Sequence, residues 1–146
     1  MGDLRVGFRE WVALPGLGIR QMQAKVDTGA RTSSLHAEEI ERVRLAGRDA
    51  VRFVVHPRRR TTRHAVQCIA DLVDVHVVRS STGHEEERFV IRTQLTWGGQ
   101  SWPIDVNLTS RRAMGYRMLV GRRALRGRCV VDPSTSFLLG RPRSRP

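Results

Sequence analysis

The sequence predicts a single all-β domain, and three observations carry that prediction. Apolar residues fall in short runs separated by Gly, Pro, Asp and Ser, without the 3.6-residue stripe of amphipathic helices. Phe89, Ile91, Thr93 and Leu95 alternate with Arg88, Arg92 and Gln94, which is the period of a half-buried strand. A second run at 101–108 follows Trp97-Gly98-Gly99-Gln100, a hairpin signature that pairs it with residues 87–96.

The remaining elements follow in chain order. Residues 11–14 form a first strand, ended by Pro15-Gly16, and residues 18–26 a second, stopping at Asp27-Thr28-Gly29. Residues 43–46 and 51–55 flank Gly47-Arg48-Asp49, a hairpin turn. Residues 66–69 and 72–78 read either as consecutive strands or as one strand bent at Asp71. Short strands at 128–131 and 136–139 flank Asp132-Pro133-Ser134. Helix is confined to a turn or two at 121–125 and a weaker stretch at 37–42. Residues 56–64 make a basic loop carrying Arg58, Arg59, Arg60 and Arg63, and residues 141–146 a flexible basic tail, which leaves 1–140 as the single domain.

Composition bounds the function. A chain of 146 residues that is 40% hydrophobic supports one core, built mainly on Val, Leu, Ile and Ala because aromatics are only 5%. No apolar run approaches the roughly 18–20 residues of a membrane span, and the first residues show no secretory h-region, so a cytoplasmic location is expected. Without secretory context, Cys68 and Cys129 read as buried thiols. Lys25 is the sole lysine among 26 basic residues, and the net charge is +12. That imbalance reflects coding bias or an acidic partner. Nucleic acid is disfavoured, since no strand interleaves basic and aromatic residues into a stacking platform.

The chemistry concentrates in Ala24-Lys25-Val26-Asp27-Thr28-Gly29-Ala30, a strand ending in an acid, a small hydroxyl residue and a glycine. Late in the chain, Met118-Leu119-Val120-Gly121 is followed by the short helical segment Arg122-Arg123-Ala124-Leu125. In this order the two segments resemble those of the retropepsin-like aspartic proteases. With Leu14, Thr32, Ser33, Leu35, His36-Ala37, residues 111–125 and Val130-Val131-Asp132-Pro133, they are similar to a bacterial subgroup. Its members are found alongside RimK-type ATP-grasp glutamate ligases and labelled "putative ATP-dependent zinc proteases". The resemblance implies a closed acid-protease barrel with one short helix near Gly121. It also implies a catalytic Asp27-Thr28-Gly29, supported by Leu119, Val120 and Gly121.

The physical logic of that motif is independent of the family. Amide hydrolysis needs an activated water and a proton for the leaving nitrogen. Two carboxylates held about 3 Å apart share one proton, so one serves as base and the other as acid. One Asp-Thr-Gly per chain requires a second Asp27 from a symmetric copy, so a homodimer is expected. Thr28 would bond across the two-fold axis, and Gly29 would bring a backbone amide to the carboxylate. Ala30 carries no hydroxyl to donate to the ionised form, which favours activity nearer neutral pH. Lys25 shares a strand face with Asp27 and reads as solvent-facing.

Asp105 and Asp132 lack a Thr-Gly context and are set aside as the second carboxylate. His36, His56, His64, His76 and His84 contain no His-Glu-x-x-His pair, and no Cys-x-x-Cys exists, so no metal is assigned. His56 and His64 read as surface histidines. No phosphate-binding Gly-x-x-x-x-Gly-Lys loop is present either, so no cofactor is assigned. Ala30, Arg58, Arg59 and Arg60 are the candidate substrate contacts, the arginines as part of a flap over the cleft unless another hairpin between the motif segments fills that role. The favoured function is a homodimeric aspartic endopeptidase acting on a peptide or protein, with acidic or glutamate-tailed substrates and a link to a glutamate ligase suggested by the resemblance. The alternatives are a non-catalytic acidic-peptide-binding module on the same fold, a zinc-dependent peptidase, and a nucleic-acid-binding barrel.

Overall fold

The computed structural model of the chain describes residues 3–79, 81–110 and 115–141. Of the expected basic tail, only Arg141 falls within these residues, and residues 111–114 of the family-like stretch also lie outside them. Eleven strands are described: β1 (Leu4–Val6), β2 (Arg9–Leu14), β3 (Ile19–Val26), β4 (Ser33–His36), β5 (Glu38–Leu45), β6 (Arg48–Val55), β7 (Val66–Arg79), β8 (Glu85–Trp97), β9 (Gln100–Thr109), β10 (Met118–Val120) and β11 (Cys129–Val131). One four-residue helix, α1 (Arg122–Leu125), follows β10, and a 3₁₀ turn (Pro15–Leu17) joins β2 to β3.

Six strands close into a barrel in the order β2-β3-β10-β4-β9-β8, sealed where Ala13 of β2 meets Thr96 of β8. Closure leaves no free edge among these six at the seam. β3 with β10 and β4 with β9 are parallel pairs, so each needs a long crossover through other strands. The far half of β8 carries β7, β6 and β5 as an antiparallel extension. β1 and β11 form a separate parallel pair.

Alternation explains the core. Ile91, Leu95 and Trp97 of β8 and Trp102, Ile104, Val106 and Leu108 of β9 point inward, all at 5% exposure or less. They meet Val12, Leu14, Ile19, Met22, Ala24, Leu35, Met118 and Val120 from the other barrel strands. Trp97 and Trp102 pack at 6.4 Å between ring centroids, and the Trp102 indole N–H donates to the Ala124 carbonyl at 3.0 Å, tying α1 to the barrel. The β8–β9 turn has φ of +56° at Gly98 and +78° at Gly99, the two-residue geometry that glycine favours.

Several expectations are corrected. Residues 37–42 are strand, not helix: β5 pairs antiparallel with β6 through a turn at Ala46-Gly47, both with positive φ, one residue earlier than expected. The charged residues of β5 made it look like a helix face, although cross-strand pairs such as Arg52–Glu41 at 3.0 Å serve a strand equally well. Residues 66–79 are one strand, with the irregularity between Leu72 and Asp74. Residues 136–139 are not a strand, because Phe137 takes a positive φ of 55° and the segment bends against β2. β1 and β4 lacked any expectation, being only three and four residues long.

That bend is held by Glu10, which is fully buried. Its carboxylate accepts from the backbone N–H groups of Gly7 (2.7 Å), Leu138 (2.9 Å) and Leu139 (3.2 Å). Three amide donors compensate a charge that burial alone would make costly. Glu10→Ala is expected to lower stability by about 2–4 kcal/mol in urea unfolding, since three amides lose their acceptor, and Glu10→Gln by less.

Candidate functional site

Asp27 directly follows β3, where the chain leaves the barrel between β2 and β10. Its own N–H donates to the Val120 carbonyl at 2.9 Å, continuing the β3–β10 ladder by one residue. Its carboxylate Oδ1 accepts from the Gly29 N–H at 3.0 Å, and Ala30 N–H closes the turn onto the Asp27 carbonyl at 3.2 Å. A Cβ on Gly29 would sit 3.2 Å from that same Oδ1, so a side chain there crowds the carboxylate. Asp27 is half-buried, Thr28 and Gly29 are exposed, and Lys25 faces solvent as the alternation allowed.

The second glycine segment is fastened to this loop from below. Gly121 N–H donates to Ser33 Oγ at 3.0 Å, and a Cβ on Gly121 would lie 2.5 Å from the carbonyl carbon and oxygen of Thr32. Only glycine permits that approach. Val120 is fully buried beside Val26, and the half-buried Leu119 pairs with Lys25 on one side and Ser34 on the other. Arg122 was not assigned a role from sequence. Its N–H donates to the Ala30 carbonyl at 2.8 Å, and its Nη1 donates to the carbonyls of Thr28 and Gly29, both at 3.0 Å. The guanidinium thus spans the Asp-Thr-Gly turn. Its position immediately after Gly121 was the available signal, but arginine is so common in this chain that none stood out.

The structure brings Asp27, Thr28, Gly29, Ala30, Leu119, Val120 and Gly121 into one constellation. Arg59 donates through Nε to the Gly115 carbonyl at 2.8 Å and through Nη1 to Gln23 at 3.4 Å, with its guanidinium 4.0 Å from the Tyr116 ring centroid. It is therefore bound within the chain, while Arg58 and Arg60 are exposed. The long hairpin between the motif segments is β7–β8, whose Val75–Arg79 and Glu85–Phe89 portions are paired with one another. Asp105 pairs with Arg92 at 2.8 Å. Asp132 accepts from the Ser134 hydroxyl and Arg5, which hold its carboxyl down to about 2. Neither is in the Asp27 loop. Cys68 is buried and Cys129 half-buried, both free and with burial pushing their thiols up to about 11.

His56 is buried and not a surface residue; His64 is exposed. His56 Nε2 lies 3.0 Å from one oxygen of Glu38, and the buried His36 Nε2 lies 3.7 Å from the other. Sequence reasoning missed this cluster because its members come from β4, β5 and the residue after β6. Among the described residues no group of three His, Cys, Asp or Glu is arranged to hold a metal ion. Burial lowers the His36 pKa below 6.5, with Glu38 opposing and Arg117 and His56 reinforcing the shift.

The fold and the loop define a class: a retropepsin-like barrel presenting one Asp-Thr-Gly turn. A family model described as "Retropepsin-like aspartic endopeptidase RimB" matches residues 5–142, and the chain belongs to that RimB-like family. A "Probable alpha-L-glutamate ligase" of Shewanella pealeana is 42% identical over 135 residues, covering 92% of this chain and 30% of that protein. A relative of the same name from Parasynechococcus marenigrum is 45% identical, covering 92% of this chain and 29% of that protein. The chain thus spans less than a third of the length of these curated relatives. A crystal structure of Lpg0085 from Legionella pneumophila, a protein of unknown function, superposes with a TM-score of 0.79 at 27% identity, covering 94% of this chain and 99% of that one.

Two outcomes test this geometry. Gly121→Ala is expected to cost about 2–3 kcal/mol in denaturant unfolding, because its Cβ meets rigid backbone. The lowered His36 pKa means that the unfolded chain binds this proton more readily than the folded one. Stability should therefore fall as pH drops below 6.5, through the window down to the lowered folded value, and His36→Asn should flatten that decline in pH-dependent melting.

Proposed function

We propose that the chain is a homodimeric aspartic endopeptidase in which Asp27 supplies one carboxylate and Asp27 of a second copy the other. The observation that carries this reading is the Asp-Thr-Gly turn clamped by Gly121 and Arg122, with its carboxylate half-buried and its outer residues exposed. A mechanism with two carboxylates sharing a proton needs a rigid turn and an open face on which a second turn can sit. Both features support the assignment.

In this reading the ionised carboxylate removes a proton from a water that attacks the scissile carbonyl. The protonated partner polarises that carbonyl, and the pair then returns a proton to the leaving nitrogen. Gly29 N–H fixes the orientation of the carboxylate that it contacts, Thr28 links the two turns across the axis, and Ala30 borders the bound peptide. The β7–β8 arm is the hairpin that folds over the bound chain, and Arg58 and Arg60 add positive charge at the exposed basic loop. The net charge of +12 and the glutamate-ligase names of the longer relatives support an acidic or glutamate-tailed substrate and a functional link to such a ligase. The free thiols fit a reducing, cytoplasmic compartment.

The test is mass-spectrometric profiling of Glu/Asp-rich peptides from about pH 4 to 8, with Asp27→Ala and chelator controls. The expected result is cleavage that survives chelator and falls on the order of 10³-fold or more in Asp27→Ala. Cleavage that persists in Asp27→Ala contradicts the reading. Binding without cleavage by a demonstrated dimer favours the non-catalytic acidic-peptide module.

A further inference from the structure

Beside the seam of β2 and β8, and running past the start of β3, lies a groove of about 960 Å³, within the size range of ligand clefts. Its wall combines Trp11, Ile19, Trp97 and Leu139 with two charged residues, Arg20 and Arg141, and contains no Asp or Glu. The smaller groove of about 390 Å³ beside β6 and β7 differs in carrying Asp71 together with Arg92. The Arg141 guanidinium lies 4.6 Å from the Trp11 ring centroid, so cation–π attraction holds it over the groove. Trp97 is 1% exposed, and its indole N–H has no partner. The Thr96 and Ser101 hydroxyls are bonded to each other at 2.7 Å. The charged and unpartnered side-chain groups of the wall are thus all donors.

The wall is also preformed. Glu10 pins the N–H groups of Leu138 and Leu139, which fixes the strap that ends in Arg141. On the other side, Gly98 sits so close to Leu4 and Leu139 that a Cβ would come within 2.9 and 3.1 Å of their side chains. A ligand therefore meets an ordered surface. Guanidinium groups bind carboxylates with paired N–H donors, and an apolar wall accepts the methylene stems of glutamate or an adjacent leucine.

We propose that this groove is a second binding site, an exosite for the glutamate side chains of an acidic peptide. It rests on the acidic-substrate part of the function proposed above and extends it to a place on the molecule distinct from the Asp27 turn. Arg20 lies seven positions before Asp27 along the chain, about 23 Å at ~3.3 Å per residue, while Trp11, under Arg141, faces Gln23, four positions before Asp27. A tail that reaches from Arg20 to Asp27 must extend over about seven residues, and one that occupies both places gains affinity by effective concentration.

The test is fluorescence anisotropy with a labelled, C-terminally amidated ten-residue Glu/Leu peptide, using the Asp27→Asn chain so that nothing is cleaved. The double variant Arg20→Glu with Arg141→Glu is expected to weaken binding at least tenfold, and Trp11→Ala by several-fold. Both arginines are exposed, so melting temperatures should stay close to the parent. Arg44→Glu with Arg48→Glu makes the same change in net charge on the β5–β6 hairpin and should leave binding within about twofold. Equal losses in the two double variants would reduce the groove to general charge attraction and overturn the proposal, as would no loss at Arg20 and Arg141 or no binding at all. Because the assay needs no catalysis, its failure is separable from a failure of Asp27-dependent cleavage.

Discussion

The structure depends on the contact between Gly121 and Thr32. There β10 passes so close to the start of β4 that no side chain fits between them, and the Gly121 amide is taken up by Ser33. That approach lets β10 pair with β3 and β4 at once, parallel to one and antiparallel to the other. Without β10 in this slot the barrel would not close between β3 and β4, and Asp27 would lose the Val120 carbonyl that receives its amide. Fold and site share one constraint, so a change at Gly121 cannot affect one alone.

Around that contact the polar groups near the turn serve it in order of depth. Ser33 is buried and bonds backbone, Arg122 is exposed and bonds two carbonyls of the turn itself, and the Asp27 carboxylate is left with the Gly29 amide. The arrangement fixes the backbone while leaving Thr28 and Gly29 at the surface. Glu10, which faces Ala24 near the same end of β3, does the comparable work on the strap beside the groove. Surface ion pairs such as Arg48–Asp71 at 2.6 Å join exposed side chains and contribute little beside these buried contacts.

What the sequence made legible follows from what is local. Period-2 alternation in β8 and β9 and the Gly98-Gly99 turn are encoded within a few residues, and each is found as read. The Asp-Thr-Gly turn and the Leu119-Val120-Gly121 segment were legible through resemblance, and the parallel pairing of β3 with β10 places them side by side. Non-local features were not legible. The start of β5 reads as helix because its clustered Glu and Arg suit a helix face and an exposed strand equally. Residues 136–139 were misread because their backbone is bent by Glu10, more than 120 positions away. The burial of His56 depended on Glu38 and His36, which no spacing rule connects. Arg59, a candidate substrate contact by sequence, is held by Gly115, Gln23 and Tyr116, partners that no local pattern announces.

The central claim is that two copies of one chain build a single reactive centre. The most direct measurement is a subunit-mixing titration, in which a fixed amount of the unmodified chain is allowed to exchange with increasing Asp27→Asn chain and peptide cleavage is followed. The account predicts that activity per unmodified chain falls toward zero as mixed dimers replace active ones, because each retains only one ionisable carboxylate. Activity that stays proportional to the unmodified chain, however much variant is added, would contradict it.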